Sequence, residues 1–540
     1  MADLILYNGK VYAQDPAHAG ASAVAVRDGR IFALGSDREM RDLARPGSAA
    51  INLEGQLVLP GLVDGHFHYT DWALAREQLP LAGAVSWRQI EAEVAVAAAA
   101  RPAGAWIVGR GWNETYWADP SLPTRAGLDA VAGEHPALLY RSDMHLAVAN
   151  SAALAAGQVT AETADPEGGV IDRDASGAPT GLLRDLAINL VSGAMPDEVE
   201  DETVAAMRRG IPYLHSLGLT GLHDFRVMGG TCGQRSFRGF ARLQAEGCLD
   251  LRIWMHLPGE RLEEAIALGL RTGFGGERLR VGALKFFVDG SQGARTAWML
   301  EPYEDGGTGI ALQPLAGIME ATRRAEAAGL AVAIHAIGDR ANRELIAALG
   351  AALAAGTQNR ARRVTAPPAA PPRIEHVQMI RPEDIPAFAR LGVVASVQPL
   401  QITDDIPMIE ASVGERARYA YSFRGLADAG VTLALGSDAP VVDPNPLWGI
   451  HAAVTRCRRD GTPVGGWYPE QRLTVPQAIW GYTMGNAIAS GREKELGSIT
   501  PGKLGDFTVV DRDLLTVDPD ELAEAKVTLT VFDGQAVYRR

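Results

Sequence analysis

Two histidines stand one residue apart at the end of an apolar run, in the stretch LVLPGLVDGHFHYT at residues 57–70. Residues i and i+2 of a β-strand point to the same face, so His66 and His68 would project side by side. Two imidazoles on one face provide half of a metal site. The alternative is a pair of solvated histidines in a loop, and the rest of the sequence has to decide.

Other polar residues stand at or just after the ends of short apolar segments further along the chain. They are His223, Asp224, His256, Lys285, Asp289, His335, His376, Gln398 and Asp438. A lysine inside a buried strand such as ALKFFV is costly unless it is paired or modified, which makes Lys285 the most informative of them. Taken singly, His335 and His376 could be structural, and Asp438 could cap a helix. The repetition of the pattern on several segments favours a shared site.

Eight β-rich segments, separated by alanine-rich helical stretches, would carry these residues. They read LVLPGLVDGHFH, LTGLHDF, LRIWMHL, LRVGALKFFVDGS, LAVAIHAIGD, PRIEHVQ, GVVASVQPL and VTLALGSDAP. Eight strands interleaved with helices predict an α/β fold, the (β/α)8 TIM barrel, whose active site lies at the carboxyl ends of the strands. The gap between the first and second segments is too long for one crossover helix and predicts an inserted subdomain at about 75–205. The Pro-, Ala- and Arg-rich residues 359–372 are expected to form an exposed loop.

The two ends of the chain have a different texture, with short strands joined by tight turns. Asn8-Gly9, Asp28-Gly29 and Asp533-Gly534 each stand between apolar runs and predict β-hairpins. We therefore expect a small β-sandwich domain built from residues 1–57 and 495–540. Residues 58–494 would then form the barrel with its insertion.

Several motifs in this arrangement resemble the metal-dependent amidohydrolase superfamily, most closely the family 3 branch that contains N-substituted formamide deformylase. They are LPGLVDGHFH, GRGWNETYW, YRSDMHLAVANSAAL, LKFFVDGSQGARTA, IHAIGDRANRELI, RIEHVQMIRPEDI, LGSDAPVVDPNPLWGI and LGSITPGKLGDFTVVDRD. The motifs span almost the whole chain. Because the superfamily covers many reactions, the resemblance is much less informative about one substrate.

The resemblance implies a set of metal ligands. His66, His68 and Asp438 would hold one ion, His335 and His376 a second, and Lys285, carboxylated by carbon dioxide, would bridge the two. Carboxylation would turn a buried ammonium group into an anionic ligand. Zinc suits imidazole and carboxylate ligands, and manganese, iron or cobalt would also fit. Without carboxylation the site would hold one metal, and His376 would hydrogen-bond the attacking water.

The implied reaction is hydrolysis of a non-peptide C–N bond in a linear amide, N-formyl or N-acyl compound. Metal-activated hydroxide would attack the carbonyl carbon, and Asp438 would carry a proton from water to the leaving nitrogen. A cyclic amide hydrolase or an aminohydrolase is an alternative. It is weakened by the sequence AIGDR after His335, which lacks the glutamate that such deaminases usually carry. Esters and carbamates stay open as substrates, and a non-catalytic scaffold is the alternative outside catalysis.

Substrate contacts are expected from four further residues. Trp112 would form an apolar wall, His145 would donate to the substrate carbonyl, and Arg295 and Gln398 are additional candidates. Core packing is the alternative role for Trp112, and a structural salt bridge is the alternative for Arg295.

The overall composition narrows the class of protein. A net charge of −14 argues against a nucleic-acid surface and gives no attraction to anionic membranes. Three cysteines, without metal-type spacing, and the lack of a signal-type start lead us to expect a cytoplasmic protein. No stretch of about 18 apolar residues predicts a membrane span. We expect a small-molecule substrate and a homo-oligomer, a dimer.

Overall fold

The computed structural model describes residues 1–196, 200–226, 232–358 and 368–540. Residues 359–367 of the predicted exposed loop lie outside these ranges. The strands are β1 (Ala2–Tyr7), β2 (Lys10–Val11), β3 (Ala23–Arg27), β4 (Arg30–Gly35), β5 (Ala44–Asn52), β6 (Leu57–Pro60), β7 (Leu62–Phe67), β8 (Leu79–Pro80), β9 (Ile107–Trp112), β10 (Ala137–Arg141), β11 (Leu146–Ala149), β12 (Gly169–Arg173), β13 (Pro179–Asp185), β14 (Leu219–Asp224), β15 (Arg252–Pro258), β16 (Leu279–Phe287), β17 (Val332–Ala336), β18 (Arg373–His376), β19 (Val394–Val397), β20 (Leu433–Leu435), β21 (Phe507–Val510), β22 (Val527–Phe532) and β23 (Gln535–Arg539).

The α-helices stand mostly between these strands, as the alternation of apolar segments predicts. They are α1 (Asp37–Arg41), α2 (Tyr69–Ala75), α3 (Trp87–Ala99), α4 (Arg125–Ala132), α5 (Ser151–Ala156), α6 (Ile188–Ser192), α7 (Glu200–Ser216), α8 (Cys232–Ala245), α9 (Leu262–Ala267), α10 (Leu315–Ala327), α11 (Asp339–Gln358), α12 (Ile385–Leu391), α13 (Gln401–Val413), α14 (Phe423–Asp428), α15 (Pro446–Thr455), α16 (Val475–Trp480) and α17 (Asn486–Ala489). No helix in the described ranges is both long and apolar enough to cross a membrane.

Eight parallel strands form the central sheet, in the order β7, β14, β15, β16, β17, β18, β19, β20. Its two edge strands meet just beyond their carboxyl ends, where the Asp438 amide donates to the carbonyl of His66 (2.7 Å) and the His68 amide donates to the carbonyl of Ala439 (2.9 Å). The strands are buried on both faces, as expected of a parallel sheet covered by helices. The prediction of a (β/α)8 barrel is confirmed.

A second sheet lies between the first and second barrel strands in sequence. Its order is β12-β13-β11-β10-β9-β8, and its strands fall between residues 79 and 185. Two apolar cores flank it, one around Trp112 and Leu139 and one around Leu138 and Leu183. Because strand residues alternate between faces, neighbours such as Leu138 and Leu139 enter different cores.

The chain termini form two further sheets, β4-β3-β1-β5 and β2-β6-β21-β22-β23. Leu6 and Val58 from the start of the chain share one apolar core with Phe507 and Val531 from its end. Asp28-Gly29 joins the paired strands β3 and β4, and Asp533-Gly534 joins β22 and β23.

The hairpin predicted at Asn8-Gly9 is wrong. Strand β1 pairs with β3 and β5, whereas β2 pairs with β6 in the other sheet. Asn8 does adopt the positive φ of a tight turn, 55°. The turn carries the chain from one sheet to the other, so the two strands that it joins lie in different layers.

Candidate metal centre

One cavity of about 190 Å³ lies at the carboxyl ends of the barrel strands. The six residues that the sequence singles out as metal ligands all line it: His66, His68, Lys285, His335, His376 and Asp438. Five barrel strands, or the turns directly after them, supply these side chains. The barrel therefore brings together residues that are as much as 372 positions apart in the chain.

His66, His68 and Asp438 form the tightest group. One ligand atom from each lies within 4.8 Å of the other two. Asp438 Oδ1 is 3.0 Å from Nε2 of His68 and 3.4 Å from Nε2 of His66. Nε2 of His66 is buried and has no hydrogen-bond partner among the described residues. Leaving such an atom unpaired is costly, and two imidazoles with a carboxylate are donors that a zinc-like ion prefers.

The other nitrogen of His66 is held by a glutamate that sequence reasoning did not single out. Nδ1 of His66 donates to Glu375 (2.8 Å), and Arg373 donates to both oxygens of the same carboxylate. Burial lowers the pKa of His66 well below its ordinary value, so the ring is neutral. With its proton on Nδ1, the ring presents the Nε2 lone pair to the cavity.

A signal for this glutamate was present in the sequence. In RIEH, the charged residues Arg373 and Glu375 occupy alternate positions of a short buried strand and therefore share a face. Two opposite charges so placed indicate a buried ion pair. Burial raises the pKa of Glu375, but attraction to Arg373 outweighs this effect and leaves the pKa below its ordinary value.

His335 and His376 form a second pair, with ring centroids 4.5 Å apart. Nδ1 of His376 contacts Oε1 of Gln398 (2.9 Å), and Nε2 of His335 contacts the carbonyl of Gly290 (3.1 Å). Burial lowers the pKa of His376 to about 4, so this imidazole is also neutral and able to ligate. Within the described residues, no third histidine, cysteine or carboxylate completes a cluster around this pair.

Lys285 lies beside both groups. Its side chain is almost fully buried, with Nζ 4.8 Å from the ring centroids of Phe225 and of Phe287. Burial lowers its pKa from 10.5 to about 8, against the attraction of Glu375 and Asp438. A large fraction of the amine is therefore neutral in mildly alkaline solution.

Asp438 is placed by several constraints. Its backbone has φ of 64°, and His376 has φ of 73°, both in the left-handed region that costs an ordinary residue about 1–2 kcal/mol. Nε2 of Gln401 donates to Oδ2 of Asp438 (3.1 Å). Burial raises the pKa of Asp438, but His66 and His68 outweigh burial and hold it well below its ordinary value. Strained residues at a site indicate a functional constraint.

The inserted subdomain contributes His145 to the cavity wall. Nδ1 of His145 donates to Asp185 (2.5 Å), which leaves Nε2 for the cavity. Burial lowers the pKa of His145, but Asp185 raises it overall to about 9. This histidine is therefore cationic at neutral pH and is a hydrogen-bond donor.

Three substrate contacts expected from the sequence have other roles in the structure. Trp112 is fully buried in the insert's core, donates to the carbonyl of Leu139 (2.9 Å), and does not line the cavity. Arg295 forms a salt bridge with Asp305 (2.9 Å), which is the alternative role expected from the sequence. Gln398 contacts the ring of His376 through Oε1 (2.9 Å) and does not line the cavity. Sequence motifs place these residues near the barrel mouth but do not show which way a side chain points.

The remaining strand-end residues support the barrel. His223 accepts a hydrogen bond from Arg373 (2.8 Å), and His256 accepts from the Ala283 amide (3.0 Å). Asp224 accepts from the Tyr69 amide (2.9 Å). Asp289 accepts from three backbone amides between 2.8 and 2.9 Å and so fixes the loop after β17.

Comparison with known proteins agrees with this geometry. Residues 49–538 match the amidohydrolase family. The chain is 34% identical to the protein LONG AFTER FAR-RED 3 of Arabidopsis thaliana, covering 100% of this chain and 92% of that protein. It is 29% identical to N-substituted formamide deformylase of Arthrobacter pascens, covering 100% and 99%.

A solved structure has the same architecture. It is an uncharacterized metal-dependent hydrolase from Pyrococcus horikoshii, 26% identical with a TM-score of 0.75, and the match covers 96% of this chain and 99% of that chain. The family match extends over the barrel, the inserted sheet and the part of the terminal sheets formed by β6, β21, β22 and most of β23. The chain therefore belongs to the amidohydrolase family of metal-dependent hydrolases.

Proposed function

We propose that this enzyme hydrolyses the C–N bond of a linear amide, an N-formyl or an N-acyl compound. The observation that carries the proposal is the convergence of six ligating side chains on one cavity, with Asp438 in contact with both His66 and His68. A relative named N-substituted formamide deformylase supports the choice of a linear amide.

His66, His68 and Asp438 would hold one divalent metal, and His335, His376 and a carboxylated Lys285 would hold a second. Zinc is proposed because the donors are imidazoles and carboxylates. A metal bound there supplies Lewis acidity, which lowers the pKa of water towards neutrality and polarises a carbonyl group.

Lys285 would become a ligand by reaction with carbon dioxide. The neutral amine forms an N–C bond to carbon dioxide and loses one proton, which gives a carbamate anion with two oxygens. Because burial brings the pKa of Lys285 down to about 8, the reactive neutral form is accessible near physiological pH.

The protein's own side chains would handle the charges and protons of the reaction. The cationic His145 donates from Nε2 to the substrate carbonyl oxygen and stabilises the negative charge that develops there. Asp438 accepts a proton from the attacking water and delivers it to the leaving nitrogen, since an unprotonated amide nitrogen leaves poorly.

An aminohydrolase acting on a ring amidine is the second candidate, and the geometry disfavours it. The acidic residue after His335 is Asp339, which is almost fully buried. Its oxygens accept from the Leu300 amide (2.8 Å) and from Arg381 (2.9 Å). Both oxygens of this carboxylate are hydrogen-bonded within the protein, so the group is not placed to protonate a substrate ring.

The first test is a screen of the metal-loaded enzyme with N-formyl, N-acyl, carbamate, lactone and cyclic amide substrates. We expect turnover of the linear amides. Exclusive turnover of the lactones or cyclic amides would contradict the proposed substrate class.

The second test is Asp438→Asn. We expect kcat to fall by a factor of about 10² to 10⁴, the typical contribution of a general acid–base group. Metal content, measured by mass spectrometry, should be largely retained because His66 and His68 remain. Asp428→Asn, at an exposed ion pair with Arg424, is the control and should keep full activity. Unchanged turnover in Asp438→Asn would remove the proposed proton carrier.

A further inference from the structure

A smaller cavity opens beside the metal centre. Its volume is about 50 Å³, against about 190 Å³ for the large cavity. Both cavities are lined by Asp143, His145, His376, Asp438 and Val441. They therefore meet at the reacting centre, and a substrate whose scissile bond lies there extends into both.

The walls of the two cavities differ in chemistry. The lining of the large cavity includes five apolar side chains: Leu74, Met144, Leu186, Ile188 and Met195. The small cavity is lined by amide and carboxylate side chains as well as apolar ones: Gln292, Gln378, Gln401, Asp405, Ile337, Met408 and Val442. An apolar group suits the first cavity and a short polar group suits the second.

The side-chain amide of Gln292 indicates that a ligand in the small cavity would supply a hydrogen-bond acceptor. Its side chain is 1% exposed, and Nε2 has no hydrogen-bond partner among the described residues. Its Oε1 lies 3.4 Å from the Ser412 hydroxyl, which also donates to the Ile409 carbonyl (3.1 Å). A buried N–H donor without a partner is costly, so a ligand carbonyl in this cavity would relieve the cost.

The side chain of Asp405 indicates that the same ligand would also supply a hydrogen-bond donor. Its Oδ2 accepts from Gln378 Nε2 (2.8 Å) and from the Tyr421 hydroxyl (2.5 Å), and these two bonds hold the carboxylate in place. Both of these hydrogen bonds end on Oδ2, and Oδ1 accepts none from the described part of the chain. Burial raises the pKa of Asp405 to about 7, so the group is mostly ionised above neutral pH. In the ionised form Oδ1 is an acceptor only, and its ligand partner is an N–H or O–H group.

We propose that the small cavity is a second substrate subsite that binds a carboxamide or urea group, with its carbonyl on Gln292 and its N–H on Asp405. This rests on the proposed function, because it places the amine portion of the substrate here and the acyl portion in the large cavity. The enzyme would thus prefer N-acyl amides whose amine side ends in a carboxamide.

The test compares three ligands with the same acyl group. N-hexanoylglycinamide carries the carboxamide, N-isobutylhexanamide is its apolar isostere, and N-(2-aminoethyl)hexanamide carries an ammonium group. Their Kd values are measured by titration calorimetry on metal-loaded Asp438→Asn, and kcat/KM is measured on the native enzyme. We expect the glycinamide to bind at least about tenfold more tightly than the isostere.

Two variants test whether Gln292 causes the preference for the glycinamide over its apolar isostere. Gln292→Leu should lower the glycinamide-to-isostere ratio about tenfold. Thr322→Val removes another buried, unpartnered polar atom, on α10 and outside both cavities, and should keep the ratio. Equal affinity for glycinamide and isostere, or tightest binding of the ammonium ligand, would overturn the subsite. If binding shows the preference but the native enzyme hydrolyses none of the three, the proposed function fails while the subsite stands.

Discussion

At the scale of single residues, the site depends on groups whose protonation is set by burial and by one partner each. His66 is neutral and oriented by Glu375, His145 is charged because of Asp185, and Lys285 is partly neutral because it is buried. The protonation state at each position follows from burial and neighbouring groups more than from the residue type.

Glu375→Gln tests the orientation of His66. The amide keeps one acceptor but loses the negative charge, so His66 becomes a weaker ligand and Arg373 loses its counter-charge. We expect metal affinity to fall about 10- to 100-fold, measured by competition with a chelator. Glu383→Gln, at an exposed ion pair with Arg343, is the control and should bind metal normally. Unaltered metal affinity in Glu375→Gln would mean that the contact has no role in ligation.

Lys285→Met tests the cost of the buried amine in metal-free protein. The folded pKa of about 8 lies below the unfolded value of 10.5, so the native lysine is destabilising below pH 8. The penalty, about 3 kcal/mol at most from 1.36 kcal/mol per unit, fades as the pH rises towards 10.5. Urea unfolding should show the variant more stable at pH 7 and the difference smaller at pH 9.5.

The control for this comparison is Lys494→Met, at an exposed position, which should change stability little at either pH. A difference between Lys285→Met and the native protein that does not change with pH would contradict the depressed pKa.

At the scale of elements, the site depends on how the first and eighth barrel strands meet. The proposed ligands His66 and Asp438 lie at the ends of the two strands whose contact closes the barrel, and the Asp438 amide donates to the His66 carbonyl. Asp64 accepts hydrogen bonds from the amides of His66 and Ser437 and so stabilises this junction between the first and eighth strands. Barrel closure and the first ligand group are therefore one structural feature.

Gly436→Ala tests this junction. A Cβ at residue 436 would lie 2.4 Å from the His66 amide nitrogen and 2.7 Å from Asp64 Oδ1, so the strands must separate. We expect loss of metal affinity and a fall of at least about 1–3 kcal/mol in the free energy of unfolding, as for an overpacked core. Gly317→Ala, in exposed helix with no atom near the added Cβ, should be neutral or slightly stabilising. Native-like metal binding in Gly436→Ala would show that the junction tolerates separation.

At the scale of the whole molecule, charged pairs join the terminal sheets to the barrel. Arg252 on β15 makes a two-bond contact with Asp506, just before β21, and both side chains are almost fully buried. Arg30 and Glu277 also connect the two parts, but at an exposed position. The dimer expected from the sequence stays a prediction.

Arg252→Met tests whether the terminal sheets stabilise the barrel. The variant leaves Asp506 buried without its partner, and breaking such a pair costs about 3–5 kcal/mol. We expect a clear loss of thermal stability in a melting experiment. Arg30→Met breaks the exposed pair and should cost about 0–1 kcal/mol. Equal effects of the two variants would mean that the buried pair has no special role.

The sequence by itself determined the barrel and predicted the six residues with metal-ligating atoms that line its cavity. Strand segments that each end in a polar residue are a local pattern, and the carboxyl ends of parallel strands share one face, so the pattern already implies convergence. The tertiary structure decided which way side chains point and what lies behind them. Trp112, Arg295 and Gln398 contact other parts of the protein, Glu375 contacts His66, and Gln292 lines the small cavity. How deeply a side chain is buried, and which group it hydrogen-bonds, depend on contacts between distant segments of the chain. A local sequence pattern does not contain this information.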